Sequence, residues 1–215
     1  IPPLVQINTP YPATSFLTGF LRSRGYHAEQ RDLGLSLVLD LFSKRGLGEV
    51  LKSVKLAPKN EVLDFFISAY DDYERTIEPT IRFLQGHDPA LGHRIASRTL
   101  LPEGPRFQSL DVEDLNWAFG KMGVQDQAKH LASLYLDDLV DIIQIGVDPY
   151  FSLSRYAEKI AASQPTMEPL LEALAQKSNL IDQLLNMRVQ QVVAEVNPHV
   201  VILTVPFPGC VLGAL

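Results

Sequence analysis

The chain has few of the residues on which disulfide-stabilised, membrane-spanning and nucleic-acid-binding proteins depend. Cys210 is its one cysteine, which excludes an intramolecular disulfide and fits a reducing cytoplasm. The longest apolar run, around Val200–Val205, has the length of a strand and falls short of the ~20 residues that cross a bilayer. A formal net charge of −6 argues against broad contact with the phosphates of nucleic acid. We therefore expect a cytoplasmic protein with no nucleic acid and no membrane among its partners.

The length and the two ends of the chain bear on its domain organisation. With 215 residues, of which 46% are hydrophobic, it can bury the core of one large domain or two small ones. It begins with Ile1, and no signal-peptide pattern is present. It closes on an apolar run, a Pro-aromatic-Pro turn and what looks like the first turn of another helix. We expect the chain to be a fragment of a longer protein.

Apolar runs near both ends predict one α/β sheet. The runs at Leu4–Asn8, Tyr26–Leu33 and His199–Val205 are typical of short strands, and helices are expected over 14–25 and 34–44. Strands that alternate with helices favour a parallel sheet. The predicted fold is a truncated flavodoxin-like parallel sheet of about three strands, with a large all-helical insertion between strands two and three.

The insertion covers residues 47–195, where helical periods occur without a convincing strand. The sheet portion would then consist of residues 1–46 and 196–215. A crossover between parallel strands needs only about a dozen residues, so the insertion should have a purpose beyond connection. The acidic pairs Asp71-Asp72 and Asp137-Asp138 are expected on solvated helix faces. The Glu-x-x-His pairs of a di-iron bundle are absent.

Two helices of the insertion have clear sequence limits. Residues 126–146 form an amphipathic pattern, whose apolar face is built from Leu131, Leu134, Leu139, Ile142 and Ile143. The last helix should begin at Thr166 and stop before the Asn197-Pro198 pair, because the residue that precedes a proline disfavours helical backbone angles.

Two Pro-aromatic-Pro turns predict the position of a ligand site. Ligands of open parallel sheets sit beyond the carboxyl ends of the strands, at the switch in strand order. In the flavodoxin order, Pro10-Tyr11-Pro12 and Pro206-Phe207-Pro208 would share that rim. Prolines remove the N–H donors that a phosphate cradle needs, so the turns favour a broad hydrophobic ligand edge or a packed partner over a nucleotide diphosphate. The alternative is that Tyr11 and Phe207 merely cap the core.

Two stretches of the chain also carry a family resemblance. They are PPLVQINTPYPATSFLTGFLRSRGYHAEQRDLGLSL, residues 2–37, and NPHVVILTVPFPGCVLGAL, residues 197–215. Both resemble the amino-terminal domain of cobalamin-binding-type radical S-adenosylmethionine proteins. The resemblance implies a Rossmann-like, cobalamin-binding-like sheet that is followed by a barrel domain. S-adenosylmethionine and a 4Fe-4S cluster would be bound only by that missing carboxyl-terminal barrel, because no Cys-x-x-x-Cys-x-x-Cys motif occurs here.

The resemblance implies candidate cofactor-binding residues and includes one departure. Cobalamin domains of the mutase and methionine synthase kind carry Asp-x-His-x-x-Gly, whose histidine ligates the cobalt. The matching stretch here starts at Asp32 and has Gly34 at the place of the histidine, so a bound cobalamin would lack that lower ligand. No catalytic and no metal-ligating residue is predicted. The residues expected to contact cobalamin are Asn8, Thr9, Pro10, Tyr11, Asp32, Gly34, Thr204, Pro206, Phe207 and Gly209.

The sequence predicts one of two functions. The first is a non-catalytic amino-terminal fragment of a radical S-adenosylmethionine enzyme, which binds cobalamin or caps the substrate entrance of its own missing carboxyl-terminal barrel. The alternative is a protein-interaction module with a degenerate sheet that binds no cofactor. A self-contained hydrolase or transferase lacks a recognisable polar catalytic cluster. Because the third strand would be a bare apolar edge, self-association through it is also expected.

Overall fold

The computed structural model describes residues 11–108, 110, 123–153, 166–206 and 210–215. Within these ranges the regular structure is helical and no strand occurs. Short 3₁₀ turns lie at Pro105–Phe107 and Leu212–Ala214. The helices are α1 (Ala13–Ser23), α2 (Leu33–Leu41), α3 (Lys44–Val54), α4 (Glu61–Ser68), α5 (Tyr70–Leu84), α6 (Leu91–Ala96), α7 (Val124–Gly146), α8 (Glu168–Ala175) and α9 (Leu180–Val196).

The predicted parallel sheet is wrong. Residues 26–32 have no regular structure and lead into α2, and residues 200–206 form neither helix nor strand. The first predicted strand, Leu4–Asn8, lies outside the described residues. A strand is stable only beside a partner that takes up its backbone hydrogen bonds, and the described residues supply none. The described part of the chain therefore contains no flavodoxin-like, Rossmann-like or cobalamin-binding-like sheet.

The chain divides into two compact units. The central unit comprises Leu39–Pro149, and the terminal unit comprises Ile1–Val38 together with Tyr150–Leu215. The boundary between them falls within α2. Most of α2 and helices α1, α8 and α9 belong to the terminal unit, whereas α3 to α7 form the central unit.

Helices α3 and α4 of the central unit begin at side-chain caps. The Ser43 hydroxyl accepts a hydrogen bond from the Gly46 backbone N–H at 3.0 Å at the start of α3. The Asn60 side chain does the same for Val62 at 2.9 Å at the start of α4. Each cap satisfies a backbone donor that the first turn of a helix leaves free.

The core of the central unit is built around aromatic rings on α4, α5 and α7. Phe66, Tyr73 and Tyr135 are fully buried, as is Phe42 just after α2. The Phe66 and Tyr73 rings pack edge to face with centroids 5.3 Å apart. The other large apolar residues buried in this unit are Leu41, Leu47, Val50, Val54, Leu63, Ile77, Phe83, Leu91, Ile95, Leu101, Phe107, Leu131, Leu136, Leu139, Ile142 and Ile143.

In the terminal unit, local caps define α9 more clearly than burial does. Asn179 and Asp182 form a capping box, in which the Asn179 side chain accepts from Ile181 N at 2.8 Å and the Asp182 side chain accepts from Asn179 N at 2.9 Å. Asn197 ends the helix in the left-handed conformation, with φ 44°. Of the residues of α9, only Ile181 and Leu184 are buried.

Candidate functional site

The central unit holds a buried group of polar side chains, the tyrosine–aspartate cluster. It consists of Tyr73 and Thr76 from α5 and Tyr135 and Asp138 from α7. Tyr135 and Asp138 lie three residues apart on a helix, so both point from the same face. The spacing of Tyr73 and Thr76 is the same. Two helices thus bring four polar groups into the core of the central unit, where Thr80 and Asp148 are buried as well.

Asp138 binds the turn that precedes the short 3₁₀ segment. Its two carboxylate oxygens accept hydrogen bonds from the backbone N–H of Gly104 at 3.1 Å and of Arg106 at 2.9 Å. A Cβ atom on Gly104 would lie 2.6 Å from one of these oxygens, so a glycine is needed there. The carboxylate is 1% exposed and has a partner for each oxygen, as buried charged groups generally require.

Arg106 ties the same turn to α7 through its side chain. The guanidinium donates to both carboxylate oxygens of Asp141, from Nε at 2.7 Å and from Nη2 at 2.8 Å. This hydrogen-bonded pairing raises the pKa of Arg106. A two-pronged pair of this kind fixes orientation as well as distance. Successive carboxylates on α7 therefore hold both the backbone and the side chain of Arg106.

The two buried tyrosine rings stack on each other, with centroids 5.4 Å apart and planes 21° from parallel. The Thr76 hydroxyl donates to the Asp72 carbonyl at 2.6 Å. The Tyr135 hydroxyl donates to the Tyr73 carbonyl at 3.3 Å and lies 3.1 Å from Thr76 Oγ1, in a hydrogen bond for which either hydroxyl can be the donor. The Tyr73 hydroxyl is buried without a hydrogen-bond partner in the part of the chain that the structure describes.

Burial determines the protonation of the cluster. It raises the pKa of Tyr73, and the Asp138 charge and Tyr135 add to that effect. Burial also raises the pKa of Tyr135, against the lowering effect of the hydrogen bond with Thr76. The pKa of Asp138 rises for the same reason, although the N–H groups of Arg106 and Gly104 oppose the change. Both tyrosines thus stay protonated at neutral pH and cannot act as bases.

The geometry of the cluster fits a structural role. Each of its four side chains is buried, so a substrate would have no access to the hydroxyl or carboxylate groups. Among the described residues, no group of three or more His, Cys, Asp or Glu side chains could hold a metal ion. The cluster joins α5, α7 and the 104–106 turn within the core.

The prediction that Asp138 lies on a solvated helix face is wrong, because its side chain is buried. Its partner in the pair, Asp137, is exposed as expected. The helical period that identifies Leu131, Leu139 and Ile142 as core residues also includes position 138, seven residues after Leu131 and four before Ile142. That spacing could have revealed the buried carboxylate, but the adjacent pair of acidic residues suggested a solvated face.

The structure describes five of the ten residues predicted to contact cobalamin. Asp32 caps α2, because its Oδ1 accepts a hydrogen bond from Leu35 N at 2.9 Å and its carbonyl accepts one from Ser36 N at 3.1 Å. These bonds stay within α2 and its start. Gly34 is buried in the first turn of that helix. Asn8, Thr9, Pro10, Phe207 and Gly209 lie outside the described residues.

The remaining predicted contacts, Tyr11, Thr204 and Pro206, are half-buried. Tyr11 lies just before α1, and the other two belong to the irregular segment after α9. The predicted strand His199–Val205, which would place this segment beside the start of the chain, is not formed. The role of all ten residues in binding cobalamin stays a prediction.

An apolar surface distinguishes the terminal unit. Leu56, Ile67 and Ile145 are the large exposed apolar residues of the central unit, among those described. The terminal unit exposes many more, and most of them lie on or beside three helices and in the segment after α9. They include Phe16, Leu17, Phe20, Met167, Leu171, Leu174, Met187, Val189, Val193, Val200, Val201, Ile202, Leu203 and Val205. Exposed apolar groups in such number are typical of interaction surfaces.

No family model matches the chain, and neither a curated protein nor a solved structure matches it. The resemblance to radical S-adenosylmethionine proteins therefore stays a prediction. Among the helices of the described residues, none combines the length and apolar character required to cross a bilayer.

Proposed function

We propose that the chain is a protein-interaction module, in which the central unit is a self-contained helical scaffold and the terminal unit contacts a protein partner. The observation that carries this proposal is the unequal exposure of large apolar side chains in the two units. Covering exposed apolar area with a partner lowers the free energy of the complex by about 25 cal/mol per Å². The partner surface should accordingly be apolar at its centre.

Helix α1 is the clearest part of this surface. None of its residues is buried, and Phe16 and Phe20 are 76% and 56% exposed. The two rings lie one turn apart and so share a face with Leu17. Isolated helices of fewer than ~12 residues are marginally stable in water, and α1 has 11. A partner that covers its apolar face would stabilise the helix.

Helices α8 and α9 extend the apolar surface of the terminal unit. Leu171 and Leu174 are 58% and 46% exposed on α8, and Val189 and Val193 are exposed one turn apart on α9. The capping box at Asn179 keeps the start of α9 helical without a partner. Residues at i and i+4 on a preformed helix are the anchors by which amphipathic helices bind hydrophobic grooves.

A catalytic role has less support from the structure. The tyrosine–aspartate cluster is enclosed in the core of the central unit, and its hydrogen bonds are made within the fold. The radical S-adenosylmethionine resemblance is compatible with the proposal, because it predicts that the partner is a barrel domain. Since the chain has a single cysteine, the proposal places it in the cytoplasm.

Site-specific photo-crosslinking tests the proposal. A photoreactive amino acid is placed at Phe16, at Leu171 or, as a control in the central unit, at Leu56, which is 89% exposed. We expect the first two positions to capture the same protein in cells and Leu56 to capture none. The captured protein is then purified and titrated with the chain.

The titration supplies the decisive outcome. Phe16→Asp and Leu171→Asp should each weaken binding of the purified partner at least tenfold, whereas Leu56→Asp should leave it unchanged. Equal capture from all three positions, or unchanged binding by the two terminal-unit variants, would overturn the proposal. Gel filtration with hydroxocobalamin provides a separate check, since stoichiometric co-elution of colour would favour the cofactor-binding prediction instead.

A further inference from the structure

The segment after α9 combines strand-forming residues with unused backbone groups. Residues 200–205 read VVILTV, and Val200, Val201, Ile202 and Leu203 are 76%, 63%, 61% and 51% exposed. Within the part of the chain that the structure describes, the backbone N–H and C=O groups of these residues have no hydrogen-bond partner. A run of β-branched and apolar residues in this state is the sequence signature of a strand that lacks its neighbour.

The chemistry of the segment selects an extended strand as its occupant. A partner helix could cover the apolar side chains, but its own backbone bonds are internal, so it would leave the segment's N–H and C=O groups unpaired. An added strand satisfies both requirements at once. Alternate residues of a strand point to opposite faces, and in this segment the side chains on both faces are largely apolar. Pairing therefore does not depend on which face is covered.

We propose that residues 200–205 pair as antiparallel β-strands with the same residues of a second copy of this chain. The pairing about a two-fold axis at Ile202 places Ile202 opposite the Ile202 of the second copy, Val201 opposite Leu203 and Val200 opposite Thr204. Each pair joins apolar or β-branched side chains, which are favourable cross-strand neighbours. The segment contains no charged residue, so the chain's net charge of −6 places no like charges directly opposite each other within it.

Prolines set the length of the pairing. Pro198 lies two residues before the segment and Pro206 follows it directly. Proline cannot donate a backbone hydrogen bond, so the ladder is limited to about six residues. An interface of this size falls at the small end of specific contacts, which predicts a dimer that forms weakly and depends on concentration.

Light scattering coupled to gel filtration tests the dimer, with protein loaded from about 10 to about 500 µM, where weak dimers dissociate and form. We expect the average mass to rise toward twice that of the monomer. Ile202→Pro removes a backbone N–H donor from the ladder. Leu203→Lys places a charged side chain opposite an apolar one at two positions of the dimer. Both should shift the dissociation constant at least tenfold. Leu56→Lys, at an apolar position of the central unit that is even more exposed, should leave it unchanged. Circular dichroism verifies that each variant keeps its helices.

Infrared spectroscopy identifies the kind of contact. The amide I band should gain a strand component with concentration, and Ile202→Pro should remove that gain. A monomer over the whole range would overturn the proposal, as would a dimer that survives both segment variants or forms without strand signal. The proposal rests on the proposed interaction function in treating the terminal unit as a contact surface. Yet a monomeric chain that still binds its crosslinked partner would disprove the dimer alone.

Discussion

Helices α7 and α9 show two different ways in which a long helix is specified. Nine of the 23 residues of α7 are buried, including Tyr135, Asp138 and Leu139. Helix α9 has 17 residues and buries two of them. Its ends are instead fixed by the capping box at Asn179 and by Asn197 in the left-handed conformation. Packing within the unit therefore defines α7, whereas local hydrogen bonds define α9 and leave apolar side chains on its surface.

The same contrast holds between the two units. The central unit has the properties of a domain that folds by itself, since it has its own aromatic core and its buried carboxylate is paired with backbone donors. Among its described residues, the terminal unit has well-formed helices with few buried apolar side chains. We infer that partner binding changes the stability of the terminal unit much more than that of the central unit, because binding stabilises the part that it covers.

The largest expected difference is between two phenylalanines. Phe66→Ala removes a fully buried ring from the central unit and should lower the free energy of unfolding by about 3–5 kcal/mol. Phe16→Ala, at a position that is 76% exposed, should change it by less than about 0.5 kcal/mol. Urea denaturation followed by circular dichroism measures both. Similar losses from the two variants would mean that α1 has a core contact in solution, and the contrast between the units would fail.

A pair of glycines on α3 tests how tightly the central unit is packed. A Cβ atom on Gly46 would collide with the backbone carbonyl oxygens of Asp40 and Leu41, which cannot move aside as a side chain can. Gly46→Ala should therefore destabilise the protein by about 1–3 kcal/mol or more. At Gly48 the nearest atom is the Tyr70 hydroxyl oxygen at 3.5 Å, which is an ordinary contact.

Gly48→Ala is the matched control, two residues along the same helix. It should stabilise the protein by about 0.5–1 kcal/mol, because alanine loses less backbone entropy than glycine. Thermal unfolding of the two variants should shift in opposite directions. Shifts of the same sign would show that α3 is not held against residues 40 and 41 as described.

The smallest effect is expected for two hydroxyl groups of the tyrosine–aspartate cluster. Tyr135→Phe removes the donor to the Tyr73 carbonyl and the hydrogen bond with Thr76, which should cost about 1 kcal/mol. Tyr73→Phe removes a buried hydroxyl that has no partner among the described residues, so it should be neutral or stabilising. Chemical denaturation of both variants gives the comparison. A loss at Tyr73 as large as that at Tyr135 would show that the Tyr73 hydroxyl is hydrogen-bonded in solution.

The helical parts of the fold were predictable where periodicity was long and uninterrupted. The expected helix over 126–146 is confirmed as α7, in which Leu131, Leu139, Ile142 and Ile143 are buried and Leu134 is half-buried. The stop before the Asn197-Pro198 pair is confirmed as well. The predicted helix from Thr166 onward is instead two helices, α8 and α9, because Asn179 caps a new start.

The sheet could not be predicted from local pattern because a strand depends on a neighbour. The run around Ile202 has the composition of a buried strand, yet composition does not say which segment lies beside it. The tyrosine–aspartate cluster was missed for a similar reason. A single carboxylate among apolar residues becomes tolerable only when distant backbone donors reach it, and Gly104 and Arg106 lie more than 30 residues before Asp138.

The hydrogen bonds between Arg106 and α7 have a consequence for proteolysis. Trypsin cleaves after arginine by drawing the side chain into its own pocket and extending the backbone on either side. Here the guanidinium is engaged by Asp141 and the peptide N–H by Asp138, so both must be released before the protease can bind. A half-exposed arginine in a turn would ordinarily be an early cleavage site, but this one should be cut only after the turn has opened.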